Sequence, residues 1–347
     1  MDEAQNQVLR QVGPGTPMGE LLRRYWHPVA VAQDLDEKHP VRLVRLLSES
    51  LVLFRDKLGG VGLMQDKCPH QGTSMLYGFP TKRGLACPSH GWLFETGGFC
   101  LGAVMEHIEV RAYTVREQAG LYWAYLGPKP APALPLDDVL GDDVLGRTDR
   151  RRRITVYPQI STNWFAESRY ALDPWRLRGH QVPELLGDPG RAVKHVSFSP
   201  AEYGISKEIV HTDGSVKREP LLFPTHLRAG PLWLLTPVDA TQTQVITIDT
   251  VPIEDRGISE GPAAGSAEPP EVVYLQSQER GDDWDPNARC SFYSPWGRAL
   301  GADADQHETP GLSLLQDLLL RELDRVARGE DPIGVIRDVD HPLVPTE

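Results

Sequence analysis

No stretch of this 347-residue chain approaches the roughly 18 continuous apolar residues of a membrane-spanning helix, so a membrane-embedded helical protein is not expected. Excess positive charge is missing too. Lys and Arg number 36 against 48 Asp and Glu, a net charge of −12, which leaves no basic footprint for nucleic acid or an anionic membrane surface. The opening Met1-Asp2-Glu3 is acidic and lacks the basic and apolar regions of a signal peptide. A soluble, cytoplasmic protein is expected, long enough for two domains with separate cores. Cysteine is scarce, at four residues. A disulfide between Cys100 and Cys290 is not expected in a reducing cytoplasm, and each reads as a small apolar filler.

What the chain does have is Cys68-Pro69-His70 and, sixteen residues later, Cys87-Pro88-Ser89-His90. Two Cys and two His in this order suit a Rieske-type [2Fe–2S] cluster, with two thiolates on one iron and two imidazoles on the other. Neutral ligands in place of two thiolates raise the reduction potential, so such a centre accepts and passes on one electron. A structural Cys₂His₂ zinc site is the competing reading. The arrangement disfavours it, because a zinc finger pairs Cys with Cys and His with His, whereas here each short loop carries one of each. Pro beside each Cys, and Gly72 and Gly91 after each His, predict tight turns that bring backbone amides toward cluster sulfurs. Trp92 and Phe94 are placed to shield the site, or serve as ordinary core.

From Val41 to about Gly127 the chain reads as short strands, over 41–47, 50–55, 60–64 and 120–126, separated by turn residues. Pro128, Pro130, Pro132 and Pro135 mark a connector over 128–153, whose Arg150–Arg153 reads as a solvated linker face. Residues 154–347 mix strands, expected over 155–156, 193–198, 205–210, 232–235 and 245–251, with a Gly- and Pro-rich loop over 257–270. After Thr309-Pro310, Leu312, Leu315, Leu319, Leu323 and Val326 recur at helical spacing and stop before Gly329, predicting an amphipathic terminal helix.

Other segments carry a resemblance. Gly13-Pro14-Gly15-Thr16-Pro17-Met18-Gly19 with Arg23-Arg24-Tyr25-Trp26, then Asn163-Trp164 and Asp173-Pro174, then Pro237–Thr243, together with the cluster motif, resemble the Rieske non-haem iron oxygenases. The likeness is to oxygenase subunits similar to phthalate dioxygenase, and it is strongest over residues 5–100. It implies an α+β fold in which an N-terminal antiparallel β domain, residues 1–127, carries the cluster. A larger α+β domain over 154–347 follows, its antiparallel sheet flanked by helices. The resemblance also implies a trimer or hexamer, a ferredoxin or flavin reductase as electron donor, and transfer from the cluster of one subunit to a mononuclear iron in its neighbour.

That iron needs two His and one carboxylate, supplied in the resemblance by Asp-x-x-His-x-x-x-x-His. Here Asp173, the expected intersubunit electron bridge, is followed by Arg176 and Gln181 at the two His positions. Arginine stays protonated and offers no lone pair to a metal. His180, one residue early, and Asp285, beside Asp282 and Asp283, are rescue ligands, with His195, His211 and His226 on later strands. Without iron, Arg176 can pair with Asp173 at i and i+3. Three functions therefore stand: a companion subunit that keeps the cluster but lacks its own iron and serves an intact homologue, a competent oxygenase with a rearranged site, and a free-standing electron carrier.

Overall fold

The computed structural model describes residues 3–101, 108–134, 150–172, 193–228, 232–252, 270–275 and 310–337. They fall into two compact units. The first takes 1–136 with 236–240 and 335–341, and the second takes 137–235, 241–334 and 342–347. Neither is a single run of sequence. Among the described residues no helix is long and apolar enough to cross a membrane.

The first unit opens with α1 (Glu3–Arg10) and α2 (Pro17–Leu22), the latter started by Thr16, whose Oγ1 accepts from Gly19 N at 3.1 Å, and by Pro17 at the first position. Nine strands follow: β1 (Trp26–Val31), β2 (Val41–Leu46), β3 (Glu49–Arg55), β4 (Val61–Gln65), β5 (Phe79–Thr81), β6 (Gly84–Ala86), β7 (Leu93–Phe94), β8 (Ala112–Gln118) and β9 (Leu121–Tyr125). Six make an antiparallel sheet in the order β1-β9-β8-β4-β3-β2, and β5-β6-β7 make a small second one. Leu51 to Phe54 of β3 and all five residues of β9 are buried. Such continuous apolar runs are what strands covered on both faces require, and each large side chain so buried contributes roughly 1.5–3 kcal/mol.

The β2–β3 turn is unusual. Leu47 and Ser48 both take left-handed backbone, φ +49 and +64, as a two-residue hairpin of this twist demands, although Gly or Asn suits such positions better. The amides of these residues donate to Pro237 O at 3.0 Å and Val238 O at 2.8 Å, while Arg45 pairs with Asp239 at 3.2 Å. Residues 236–240 thus hold the turn although they lie some 190 positions away in sequence.

The second unit contains β10 (Arg150–Ile160), α3 (Trp164–Leu172), β11 (Val193–Ala201), β12 (Gly204–His211), β13 (Val216–Leu222), β14 (His226–Arg228), β15 (Leu232–Pro237, whose last two residues belong to the first unit), β16 (Thr243–Pro252), β17 (Glu271–Tyr274) and α4 (Pro310–Ala327). One eight-stranded sheet, β11-β12-β13-β14-β15-β16-β10-β17, makes its body. Its described pairings are antiparallel except β10 with β17, which is parallel. Arg150–Arg153, expected as a linker face, are instead the first residues of β10. They pair with 249–252 of β16, and Arg151 and Arg153 both reach Glu271 at 3.2 and 3.0 Å. Val245 to Ile248 are buried on both faces of β16.

The terminal helix forms where the leucine spacing places it. Leu312, Leu315, Leu318 and Leu319 are buried, and a Cβ on Gly311 would meet the Phe198 ring of β11 at 2.9 Å, so the helix lies close on the sheet. Glu322 is fully buried, accepts from Ile333 N at 2.9 Å and faces Arg321 and Arg325. On the same sheet Lys207 and Glu219, also buried, stand 3.7 Å apart. The fold is α+β, an N-terminal antiparallel β domain followed by a larger α+β domain.

Candidate metal centre

Two loops of the first unit hold the candidate ligands. Cys68–Thr73 follows β4, and Cys87–Trp92 joins β6 to β7. Both close in the same way. Cys68 N donates to Thr73 O at 2.9 Å and Cys87 N to Trp92 O at 2.8 Å, while Gly72 N returns to Cys68 O at 2.8 Å and Gly91 N to Cys87 O at 3.0 Å. The closure needs left-handed backbone four residues after each Cys, φ +72 at Gly72 and +71 at Gly91, a region open to Gly without steric cost.

The cysteines point in and the histidines out. Cys68 and Cys87 are 2% and 3% exposed, within a core of Val52, Phe54, Met64, Met75, Leu85, Phe94 and Val110. His70 and His90 are exposed at the loop tips, their Nδ1 atoms 3.1 Å apart and their rings edge to face at 4.6 Å. Trp92 stacks on His70, with ring centroids 4.5 Å apart and planes 14° from parallel. Burial pushes the Cys68 thiol up, the backbone amides of His70 and Gln71 pull it down, and the neighbouring Cys87 thiol raises it further. A metal must therefore displace a proton held by a buried sulfur, which couples binding to folding.

The donor set fits two metal ions better than one. The Nδ1 atoms of His70 and His90 are 3.1 Å apart, close enough for both to bind one metal ion at about 2.1 Å each. A single tetrahedral zinc would instead draw all four donors to one point. Among the described residues no group of three or more His, Cys, Asp or Glu side chains converges in that way. The pairs are like with like, as a two-iron cluster with sulfur on one iron and imidazole on the other requires.

Sequence reasoning passed over the polar residues that brace these loops. Asp66, 5% exposed, accepts from Ser74 Oγ and from Leu76 N at 3.4 Å, and its carbonyl accepts from Met75 N at 2.7 Å. Thr73 Oγ1 and Ser89 Oγ, from different loops, are 2.8 Å apart. No periodicity marks such partners, since only the folded loops bring them together.

The second proposed metal position stands differently. Asp173, Arg176, His180, Gln181, Asp282, Asp283 and Asp285 lie outside the described residues, as does Cys290. His195 is exposed on β11 and His211 lies at the end of β12, where the two strands pair. His226, on β14, is two strands further across the sheet. The structure therefore does not bring these three histidines together.

Comparison with known proteins adds relatives to this geometry. Residues 25–113 match the Rieske [2Fe-2S] domain family. The chain is 31% identical over 376 residues to the 5,5'-dehydrodivanillate O-demethylase oxygenase subunit of Sphingobium sp. (strain NBRC 103272 / SYK-6), covering 96% of this chain and 83% of that subunit. It is 39% identical over 137 residues to the phthalate 4,5-dioxygenase oxygenase subunit of Pseudomonas putida, covering 37% of this chain and 31% of that one. Among solved structures, the oxygenase and ferredoxin complex of carbazole 1,9a-dioxygenase matches with a TM-score of 0.58 at 15% identity, covering all of this chain and 99% of the other, a likeness of fold.

Proposed function

The chain belongs to the Rieske non-haem iron oxygenase family, and from that premise we propose that it is a companion subunit, whose electron is used at the mononuclear iron of an intact homologous subunit. One observation carries the reading. At the positions where the resemblance puts two histidine ligands, this chain has Arg176 and Gln181, and arginine brings a fixed positive charge to the sequence position where a metal ligand is implied but cannot itself bind the metal. A complete cluster loop set beside an incomplete iron site makes chemical sense when cluster and iron work across a subunit boundary. In a homo-oligomer of such chains the electron would have no iron to reach.

On this reading Cys68 and Cys87 hold one iron and His70 and His90 the other. When bound, the cluster supplies one-electron transfer. The chain does the rest. Buried sulfurs and the core around Phe94 keep water from the thiolate side, the amides of His70 and Gln71 favour charge on Cys68, and Trp92 fixes the plane of His70 by stacking. Both imidazoles lie at the exposed loop tips, so the side offered to a partner is the histidine side. Asp173, the residue after Leu172 in the sequence, is the proposed bridge toward that partner.

The donor is proposed to be a ferredoxin or flavin reductase, in an assembly of trimers. Relatives named for dehydrodivanillate and phthalate support a small aromatic substrate for the intact subunit. Iron analysis tests the proposal. The purified chain should contain about two irons with a Rieske paramagnetic resonance signal on reduction, and a clear third iron overturns the companion role. His180 and Asp285 define the second reading, a competent oxygenase with a shifted ligand set, and that third iron is its expected result.

A further inference from the structure

The two ligand loops share a hydrogen bond that neither the metal nor the strand pairing requires. Thr73, the last residue of the first loop, places Oγ1 2.8 Å from Oγ of Ser89, the residue before His90 in the second. Each loop is also closed on itself by its own Cys and Gly amides, and the other contacts between the loops are made by the ligand side itself, His70 with His90 and Trp92 stacked on His70. The first loop is then fixed from within the unit. Ser74, adjacent to Thr73, donates to the buried Asp66 carboxylate, and Asp66 also takes the amides of Met75 and Leu76. Hydrogen bonds thus run from the buried Asp66 through Ser74, along the peptide to Thr73, and across to Ser89.

We propose that Thr73 and Ser89 are positioning residues that clip the two ligand loops together and set the geometry of the cluster. The inference rests on the ligand reading above. Each iron would draw one ligand from each loop, so the distance between loops becomes the angle between ligands at both irons, and the reduction potential follows that geometry and its hydrogen bonding. Ser89 is next to His90, which makes the clip a direct handle on the imidazole side. No charge is involved, because two hydroxyls share one proton donor and either can give it.

The test uses the full chain with its cluster assembled. Ser89→Ala and Thr73→Val should each shift the reduction potential and the g values of the reduced signal, and speed iron release to a chelator about two- to tenfold, as the loss of one hydrogen bond implies. The double variant should be no worse than either single one, since both break the same contact. Ser89→Thr, which keeps a hydroxyl, should restore the parent potential. Should Thr73→Val fail to fold, Thr73→Ala breaks the same bond with less bulk. Parent-like potential, signal and iron release in Ser89→Ala overturn the clip alone, whereas a parent protein without a Rieske signal overturns the ligand reading and the clip with it.

Discussion

The two sheets of this protein use the same antiparallel pairing for opposite purposes. In the first unit, short strands end in two loops of six residues whose candidate donors sit on the turns themselves, at Cys68, His70, Cys87 and His90. The donors' positions follow from local closure, each loop pinned by a Cys amide and a left-handed Gly. In the second unit a broad eight-stranded sheet carries its ion pairs on the strands, as with Lys207 and Glu219, and the metal positions implied by family resemblance fall on a segment beyond α3. A loop-borne site depends on two short blocks of neighbouring residues. In the family pattern the two histidine positions lie on that segment, where this chain has Arg176 and Gln181, and the carboxylate lies some hundred residues further on.

The largest test of this contrast removes a donor from the block. Cys68→Ser should abolish the Rieske spectrum and loosen the first unit, seen as faster hydrogen exchange in β3, β4 and β6, with β12 to β16 unchanged. A retained spectrum would sink the ligand assignment. The reverse experiment rebuilds the dispersed site. Arg176→His with Gln181→His should raise iron from about two to about three per chain, and iron content left at about two would mean that the cavity has diverged beyond its ligands.

Ionic balance in the second unit is the next probe. Among the described residues, Lys207→Met leaves the buried Glu219 with Lys217, at 2.8 Å, as its one ion-pair partner. A loss of about 3 kcal/mol in the stability of that unit is expected from urea unfolding. The first unit has its own weak point at His27, which is fully buried, with Nε2 2.8 Å from Leu22 O and Nδ1 unpartnered. Burial holds its pKa down at about 4 against an ordinary 6.5, a hydrogen bond to Leu22 opposes this, and Arg23 adds to it. Between those values the unfolded chain binds a proton that the folded chain refuses. Its contribution is therefore complete above about pH 6.5 and lost as pH falls through 4, a total of roughly 3 kcal/mol. Hydrogen exchange at pH 7 and pH 4.5 should show the first unit weakening, and His27→Gln should flatten the difference. The smallest effect is at the β2–β3 turn, where Ser48→Gly relieves left-handed strain and should raise stability by about 0.5 kcal/mol in thermal unfolding.

Much of the architecture could be read in advance where periodicity or turn chemistry is local. The strands at 41–46, 49–55, 61–65 and 121–125, the terminal helix after Thr309-Pro310, and the two ligand loops all follow patterns within a few residues. Strands with mixed composition were less legible. β1 contains Pro28, β8 ends in Arg116-Glu117-Gln118, and Arg150–Arg153 carry four like charges into β10, tolerated because β16 pairs with them and Glu271 supplies counter-charge to two. At the candidate site the four proposed ligands stood out by residue type and spacing. Asp66, Thr73, Ser74 and Ser89 did not, since a serine sixteen residues from a threonine has no signature until two loops fold beside each other.

Sequence alone therefore determined the candidate donors, their order and the strand and helix periods, because residue chemistry and backbone geometry act over one to five positions. Tertiary structure decided what no such window contains. It brought residues 236–240 under the Leu47-Ser48 turn, turned the cysteines inward and the histidines outward, and set Thr73 against Ser89. The physical reason is that these contacts join segments whose approach depends on strand register and core packing, and register is a property of the whole sheet.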